Sequence, residues 1–179
     1  IVGVLNGDVS WGDYNNDGFL DIAITGISES ELITKVYRNN GNNTFSDVTD
    51  DSLLGLVESS VSWGDFDNDG FLDLLISGIK NEANSVLYKN DGSGNFTEQS
   101  KINLLGVYDG GNSWVDYNND GKLDILLAGL NNNVKSIKLY RNDTPIANNR
   151  PEVLTDLIST VNESDVSFSW SQANDNNQS

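Results

Sequence analysis

A segment of twelve residues occurs three times in this sequence, in register and without a gap. The copies lie at residues 10–21, 62–73 and 113–124, and their tryptophans are 52 and then 51 residues apart. Each copy leads into a similar aliphatic run and then into a tyrosine-centred segment. Repetition at this period indicates that one supersecondary unit is used three times, which restricts the chain to repeat architectures.

The segments that follow each copy are typical of β-strands. The aliphatic runs are short, nearly continuous and end at glycine, as expected for strands covered on both faces: residues 21–26, 73–78 and 124–129. The tyrosine-centred segments are rich in β-forming residues, and the first two end at the turn signals Asn40-Gly41 and Asp91-Gly92. A further short strand is predicted around residues 44–48 and 95–98.

Four strands in about 50 residues are the size of a propeller blade. We therefore predict an all-β fold of four-stranded antiparallel β-propeller blades within residues 1–143, at about 8–50, 60–101 and 111–143. The third unit has no fourth strand after Asp143, and in a closed propeller the other end of the chain can supply it. Because propellers have at least about four blades, we expect further blades to precede Ile1.

Composition changes after the third unit. Residues 144–151 contain both prolines of the chain and are predicted to form a linker. The apolar residues between Val153 and Trp170 suggest the first strands of another β-domain, and residues 152–179 resemble the opening of a fibronectin type III-like β-sandwich. We expect this second domain to be incomplete in the sequence given.

The charge and composition exclude several classes of function. The formal net charge is −17, so nucleic acid and anionic lipid are not expected partners. The chain contains no cysteine and no histidine, which excludes disulfides, thiolate chemistry and histidine-ligated zinc. No apolar stretch reaches the roughly 18 residues needed to cross a membrane.

Each copy contains the pattern Asp-x-(Asp/Asn)-x-Asp-Gly-x-x-Asp. Oxygen-bearing side chains stand at loop positions 1, 3, 5 and 9, the glycine at position 6 allows a sharp turn, and position 7 can offer its carbonyl. Such a loop suits calcium, which takes six to eight oxygens, better than magnesium, zinc or copper. The helix–loop–helix calcium motif needs a glutamate at position 12, where this chain has Ile24, Ile76 and Leu127.

Two other interpretations of these loops are less well supported. A plain solvated turn does not need four oxygen acceptors at fixed spacing. A catalytic carboxylate pair is disfavoured because the same site occurs three times, whereas active sites are usually single. We therefore expect no catalytic residues in this chain.

The repeated segments resemble FG-GAP-type repeats, also described as VCBS-like repeats, which occur in integrin α-subunit propellers and secreted bacterial proteins. The resemblance covers roughly residues 4–143. It implies that the acidic loop joins the first and second strands of a blade and binds structural calcium. It implies three Ca²⁺ sites with these ligands, where Phe19, Phe71 and Lys122 act through their carbonyls: Asp13, Asn15, Asp17, Phe19, Asp21; Asp65, Asp67, Asp69, Phe71, Asp73; Asp116, Asn118, Asp120, Lys122, Asp124.

The repeated aromatic residues are predicted to be core residues rather than a ligand-stacking ladder. Trp11, Trp63 and Trp114 are expected to pack between neighbouring blades, and Tyr37, Tyr88 and Tyr140 are also assigned to the core. The Asn-x-Ser/Thr sequons leave glycosylation open, because chance matches are expected in a chain so rich in asparagine: Asn42, Asn95, Asn142, Asn162 and Asn177.

The loops on the face opposite the acidic loops differ in sequence between repeats and are the expected binding surface, at residues 27–33, 51–58, 79–84, 103–110 and 130–135. We predict a non-catalytic adhesion or recognition module of a secreted or cell-surface protein that binds an extracellular protein or glycan. The alternative is an accessory propeller of a larger secreted polysaccharide-degrading enzyme. A neighbouring catalytic domain would favour the alternative.

Overall fold

The computed structural model describes residues 1–49, 51–145, 158–162 and 165–169. Within these residues the chain forms strands, turns and bends and contains no helix. The strands are β1 (Leu5–Gly12), β2 (Asp21–Ser28), β3 (Glu31–Asn39), β4 (Phe45–Asp47), β5 (Val57–Gly64), β6 (Asp73–Ile79), β7 (Ala83–Asn90), β8 (Phe96–Glu98), β9 (Tyr108–Val115), β10 (Asp124–Asn131), β11 (Val134–Tyr140), β12 (Ile158–Asn162) and β13 (Asp165–Ser169).

The first eleven strands form three antiparallel sheets. The first two are four-stranded meanders in the order β1-β2-β3-β4 and β5-β6-β7-β8, and the third contains β9, β10 and β11 in the order β11-β10-β9. We name these sheets blades 1, 2 and 3. The predicted all-β fold of repeated four-stranded antiparallel units is confirmed, and among the described residues blade 3 lacks an outer strand.

The second strand contributes buried residues to the core in each blade: β2 and β6 are buried on both faces, whereas β10 buries Ile125 and Leu127 on one face. In β6, Leu74, Leu75 and Ile76 are fully buried, and β2 places its first six residues in the interior. Register is the same in all three blades, with the tryptophan of the first strand opposite Ile22, Leu74 or Ile125. In blades 1 and 2 the continuous aliphatic pattern of the sequence therefore reflects burial on both faces.

The blades stack through a tryptophan and a glycine. The Trp63 ring lies against Gly12 so closely that a Cβ there would come within 2.7 Å of it, and Trp114 lies against Gly64 in the same way. The predicted packing of tryptophan between blades is confirmed for these two residues. For Trp11 it stays a prediction, since this residue is 57% exposed, has an edge-on contact with Phe45 and lies on a face that no described blade covers. Val115 stands in blade 3 where the other blades have glycine.

The predicted core tyrosines are buried to different degrees. Tyr37 and Tyr88 are buried, and Tyr140 is half-buried.

The structure describes only two strands of the predicted second domain. Strands β12 and β13 pair in antiparallel fashion. Most of residues 144–179 lie outside the described residues, so the linker and the fibronectin type III-like domain remain predictions.

Candidate metal centre

The three acidic loops have the same backbone and join the first and second strands of their blades. Position 4 is an asparagine with positive φ in each loop, at 57°, 57° and 58° for Asn16, Asn68 and Asn119. The glycine at position 6 also has positive φ, between 80° and 91° in the three loops. Glycine adopts this conformation without steric cost, so the loop reverses tightly and turns its side-chain oxygens inward.

The aspartate at position 1 organises the main chain of each loop. Asp65 accepts hydrogen bonds from the amides of Asp69 and Gly70 at 3.1 and 2.9 Å. Asp13 and Asp116 accept the equivalent bonds at 2.9–3.1 Å. The predicted first ligand of each loop is therefore held in place by the loop's own amides.

The aspartate at position 9 is fully buried in every loop. In blade 2, Asp73 accepts one hydrogen bond from the amide of Phe66 and one from the amide of Asn90, both at 2.9 Å. Asp21 and Asp124 repeat this arrangement with the matching residues of their own blades. The carboxylate thereby connects the acidic loop to the end of the third strand.

Burial disfavours the charged form of these carboxyls. It raises the pKa of Asp73 to about 8, although hydrogen bonds from the Asn90 and Phe66 amides oppose the shift, and the charges of Asp67 and Asp65 add to it. Burial also raises the pKa of Asp21 and of Asp65. An added cation would offset this cost because it stabilises the ionised carboxylates.

The second loop brings three carboxylates together. Asp65, Asp67 and Asp73 each offer one oxygen, and these oxygens lie within 4.8 Å of one another. Asp67 Oδ1 is buried and has no hydrogen-bond partner. An oxygen-only cluster with an unsatisfied buried acceptor fits a hard divalent cation, because such ions are bound by carboxylate and carbonyl oxygens.

Lys89 of β7 contacts two aspartates of the same loop, and the sequence analysis did not identify it as a residue of the site. Its Nζ donates to Asp67 Oδ2 and lies 2.8 Å from Asp69 Oδ2. Burial lowers the pKa of Lys89, but these hydrogen bonds raise it above its ordinary value. Asp69, a predicted ligand, is thus paired with the lysine and lies outside the carboxylate cluster. The matching positions of the other repeats are also basic, Arg38 and Arg141, and this recurrence could have identified Lys89 from the sequence.

The first and third loops are arranged differently because asparagine replaces aspartate at position 3. Asn15 donates to Asp17 Oδ2 at 2.9 Å, and Asn118 donates to Asp120 Oδ2 at 3.0 Å. Neither loop forms a cluster of three carboxylates in the part of the chain that the structure describes. At position 7 the amides of Phe19, Phe71 and Lys122 donate to the aspartate at position 5, and their carbonyls remain predicted ligands.

A second set of residues, which the sequence analysis did not identify, links the acidic loops of neighbouring blades. The side-chain amides of Asn90 and Asn142 donate to the loop carbonyls of Tyr14 and Phe66 in the preceding blade, at 2.8 and 2.6 Å. The position 4 asparagines reach in the opposite direction, Asn16 to the Gly70 carbonyl and Asn68 to the Gly121 carbonyl. Asparagine recurs at both of these positions in the repeats, and this recurrence could have identified the contacts from the sequence.

Comparison with protein families gives a direct match to these blades. The family model of the FG-GAP-like repeat matches residues 13–76 and 65–127, each time starting at the first aspartate of an acidic loop. The chain belongs to the FG-GAP-like repeat family. The two matches of the FG-GAP-like model together include all three acidic loops.

One further comparison and one property of the structure add little to this assignment. A search among curated proteins finds no significant match to the chain. In the described part of this FG-GAP-like protein, no helix has the length and apolar character needed to cross a membrane.

Proposed function

We propose that this chain is a calcium-stabilised, non-catalytic propeller segment of a secreted or cell-surface protein. The observation that carries the proposal is the convergence of Asp65, Asp67 and Asp73 around the unpartnered Asp67 Oδ1. The equivalent positions of the other two loops would complete a series of three Ca²⁺ sites. Further blades of the same longer chain would complete the propeller.

Calcium would supply positive charge where the fold gathers negative charge. The ligand positions of the three loops carry ten formal negative charges, and three ions would change the net charge from −17 to −11. Within each blade, the aspartate at position 1 orients the loop and the buried aspartate at position 9 anchors it to the third strand. The bound ion would therefore join the first and second strands of a blade through residues that already connect to the third.

Recognition is assigned to the other face of the blades. The turns there, within residues 27–33, 79–84 and 130–135, differ in sequence while the acidic loops repeat. Variable loops on a rigid scaffold are a common location for binding. We propose an extracellular protein or glycan as the ligand, and no reaction on it, because the acidic site that repeats with the blades is assigned to calcium.

Isothermal titration of metal-depleted protein with Ca²⁺ tests the metal assignment. We expect about three equivalents for the unmodified chain and two for Asp67→Ala, because the second loop would lose a ligand. Asp91→Ala is a matched control, since Asp91 is an exposed turn residue outside the loops. One equivalent or none would contradict the three-site proposal, and a glycan-array screen examines recognition separately.

A further inference from the structure

A continuous path of hydrogen bonds joins the buried aspartates of the first and second acidic loops. The Tyr14 amide donates to Asp21 Oδ2 at 3.3 Å, and the Tyr14 carbonyl accepts from the side-chain amide of Asn90 at 2.8 Å. The Asn90 backbone amide donates in turn to Asp73 Oδ1 at 2.9 Å. All four residues are buried. Two predicted ligands that belong to different loops are therefore joined through only two intervening residues.

The path continues from the second loop to the third. The Phe66 amide donates to Asp73 Oδ2 at 2.9 Å, and the Phe66 carbonyl accepts from the side-chain amide of Asn142 at 2.6 Å. The Asn142 backbone amide donates to Asp124 Oδ1 at 2.7 Å. Asp73 thus uses one carboxylate oxygen toward the first loop and the other toward the third. The position 9 aspartates of all three loops consequently belong to one path.

Neighbouring loops also meet at a second point, nearer the surface. The position 4 side chain of one loop donates to the position 6 carbonyl of the next, from Asn16 to Gly70 at 2.8 Å and from Asn68 to Gly121 at 3.3 Å. Gly70 directly precedes Phe71, whose carbonyl is a predicted ligand. Each pair of neighbouring loops is therefore connected by two contacts, and both contacts end beside predicted ligands.

We propose that neighbouring acidic loops bind Ca²⁺ with positive cooperativity, and that Asn90 and Asn142 carry the coupling between blades. This inference rests on the proposed calcium function and adds how the sites act on one another. A loop whose ligands are held by an ion moves less, so its Tyr14 or Phe66 carbonyl stays in place for the asparagine of the next blade. The backbone amide of that asparagine then holds the next position 9 aspartate, and the second loop loses less conformational entropy on binding.

Repulsion between bound ions opposes this coupling but does not remove it. The ligand positions of the three loops carry three, four and three formal negative charges, so each loop stays negative after it takes up two positive charges. Salt at 0.15 M also screens exposed charges over about 8 Å. The hydrogen bonds of Asn90 and Asn142 lie in buried or partly buried positions, where salt has little effect. We therefore expect the contacts between loops to determine the sign of the cooperativity.

A Ca²⁺ titration of the metal-depleted, isotopically labelled full-length chain in 0.15 M salt, followed by NMR, tests the coupling. The amides of the position 6 glycines report on each loop separately: Gly18, Gly70 and Gly121. In the unmodified chain the three transitions should coincide, with a Hill coefficient greater than one. In Asn90→Ala the Gly18 transition should separate from the other two, and its midpoint should rise by about fivefold or more.

Replacement of the second asparagine should uncouple the other end of the path. In Asn142→Ala the transition of the third loop should separate, while those of the first two loops remain together. Asn39→Ala is the matched control, because the Asn39 side chain donates to the Leu20 carbonyl of its own blade and to no other blade among the described residues. All three transitions should remain coincident in this control.

A pair of surface variants repeats the test without changing the buried contacts, in case Asn90→Ala does not fold. Asn16→Gly removes the donor to the Gly70 carbonyl, and glycine adopts the positive φ of 57° without steric cost. Asn119→Gly is its control, since Asn119 has the same conformation and no hydrogen bond to another blade in the described part of the chain. Only Asn16→Gly should move the transition of the first loop away from that of the second.

The possible outcomes distinguish failure of the coupling from failure of the calcium assignment. Three glycine transitions with a Hill coefficient of one would overturn the coupling and leave the three calcium sites standing. So would an effect of Asn90→Ala that is no larger than that of Asn39→Ala, or one confined to the second loop, because each would be a local loss. A titration in which no glycine responds would overturn both proposals.

Discussion

The side-chain amide of Asn90 donates a 2.8 Å hydrogen bond to the main-chain carbonyl of Tyr14, in the acidic loop of the preceding blade. The same amide donates to the Leu72 carbonyl at 3.0 Å, and the Asn90 backbone amide donates to the buried Asp73 carboxylate. One fully buried residue therefore connects two loops and the end of a strand. Neighbouring acidic loops are consequently parts of one hydrogen-bonded structure.

Asn90→Ala should lower the free energy of unfolding by about 2–3 kcal/mol, because the buried Tyr14 carbonyl and the partly buried Leu72 carbonyl lose their donor. Asn39 is the matched control: it donates to the Leu20 carbonyl in its own blade and lies on the face that no described blade covers. Asn39→Ala should cost about 1 kcal/mol or less. Urea unfolding of both variants measures the difference, and equal losses would show that the contact between blades adds nothing.

Removal of the lysine beside the second loop should increase the effect of calcium. In Lys89→Met, Asp67 and Asp69 lose their counter-charge, so the metal-free protein should melt at a lower temperature. The calcium-loaded variant should melt close to the unmodified protein, because the ion replaces the lost positive charge. Thermal unfolding with calcium and with chelator tests this, and an unchanged calcium-induced shift would contradict it.

The raised pKa of Asp73 predicts that metal-free protein loses stability as pH rises. Between the ordinary carboxyl pKa of 3.8 and about 8, the folded state binds a proton that the unfolded state releases. Stability should therefore be higher at pH 5.5 than at pH 8.5 when calcium is absent. Calcium should remove or reverse this slope by binding the ionised carboxylate. Melting temperatures at both pH values, with and without calcium, provide the measurement, and a flat metal-free profile would refute the prediction.

Close contact between blades predicts a strong effect of one added methyl group. A Cβ at Gly64 would come within 2.7 Å of the Trp114 ring, so Gly64→Ala should cost about 1–3 kcal/mol through overpacking. Gly111 is a matched control, because a Cβ there meets no atom within 4 Å. Gly111→Ala should change stability by no more than about 0.5 kcal/mol. Chemical denaturation of the two variants checks the contrast.

Calcium depletion should destabilise the unmodified protein by an amount that depends on the number of sites occupied. A ligand at a hundredfold excess over its Kd adds about 2.7 kcal/mol per site if it binds only the folded state. Three sites would then rival the whole net stability of a domain, about 5–15 kcal/mol. Melting curves that coincide with calcium and with excess chelator would mean that the loops are only turns.

The blades could be predicted because every element recurs at a fixed distance from a repeated tryptophan. Repetition did not predict which of the repeated residues are covered by a described neighbouring blade. Trp11 and Trp63 have the same local sequence, yet only Trp63 is covered by a neighbouring blade. The role of Lys89 was also missed, since its contact with Asp67 joins positions 22 residues apart. Such contacts depend on tertiary packing, which local spacing does not encode.

Val115 makes the outer face of blade 3 different from the corresponding faces of blades 1 and 2. It is 39% exposed, and it stands where Gly12 and Gly64 in the other blades leave room for the tryptophan of the next blade. Because a branched side chain fills this position, a tryptophan could not approach the first strand of blade 3 as closely as Trp63 and Trp114 approach Gly12 and Gly64. Any sheet that packs on this face must therefore meet it with a smaller side chain or at a greater distance.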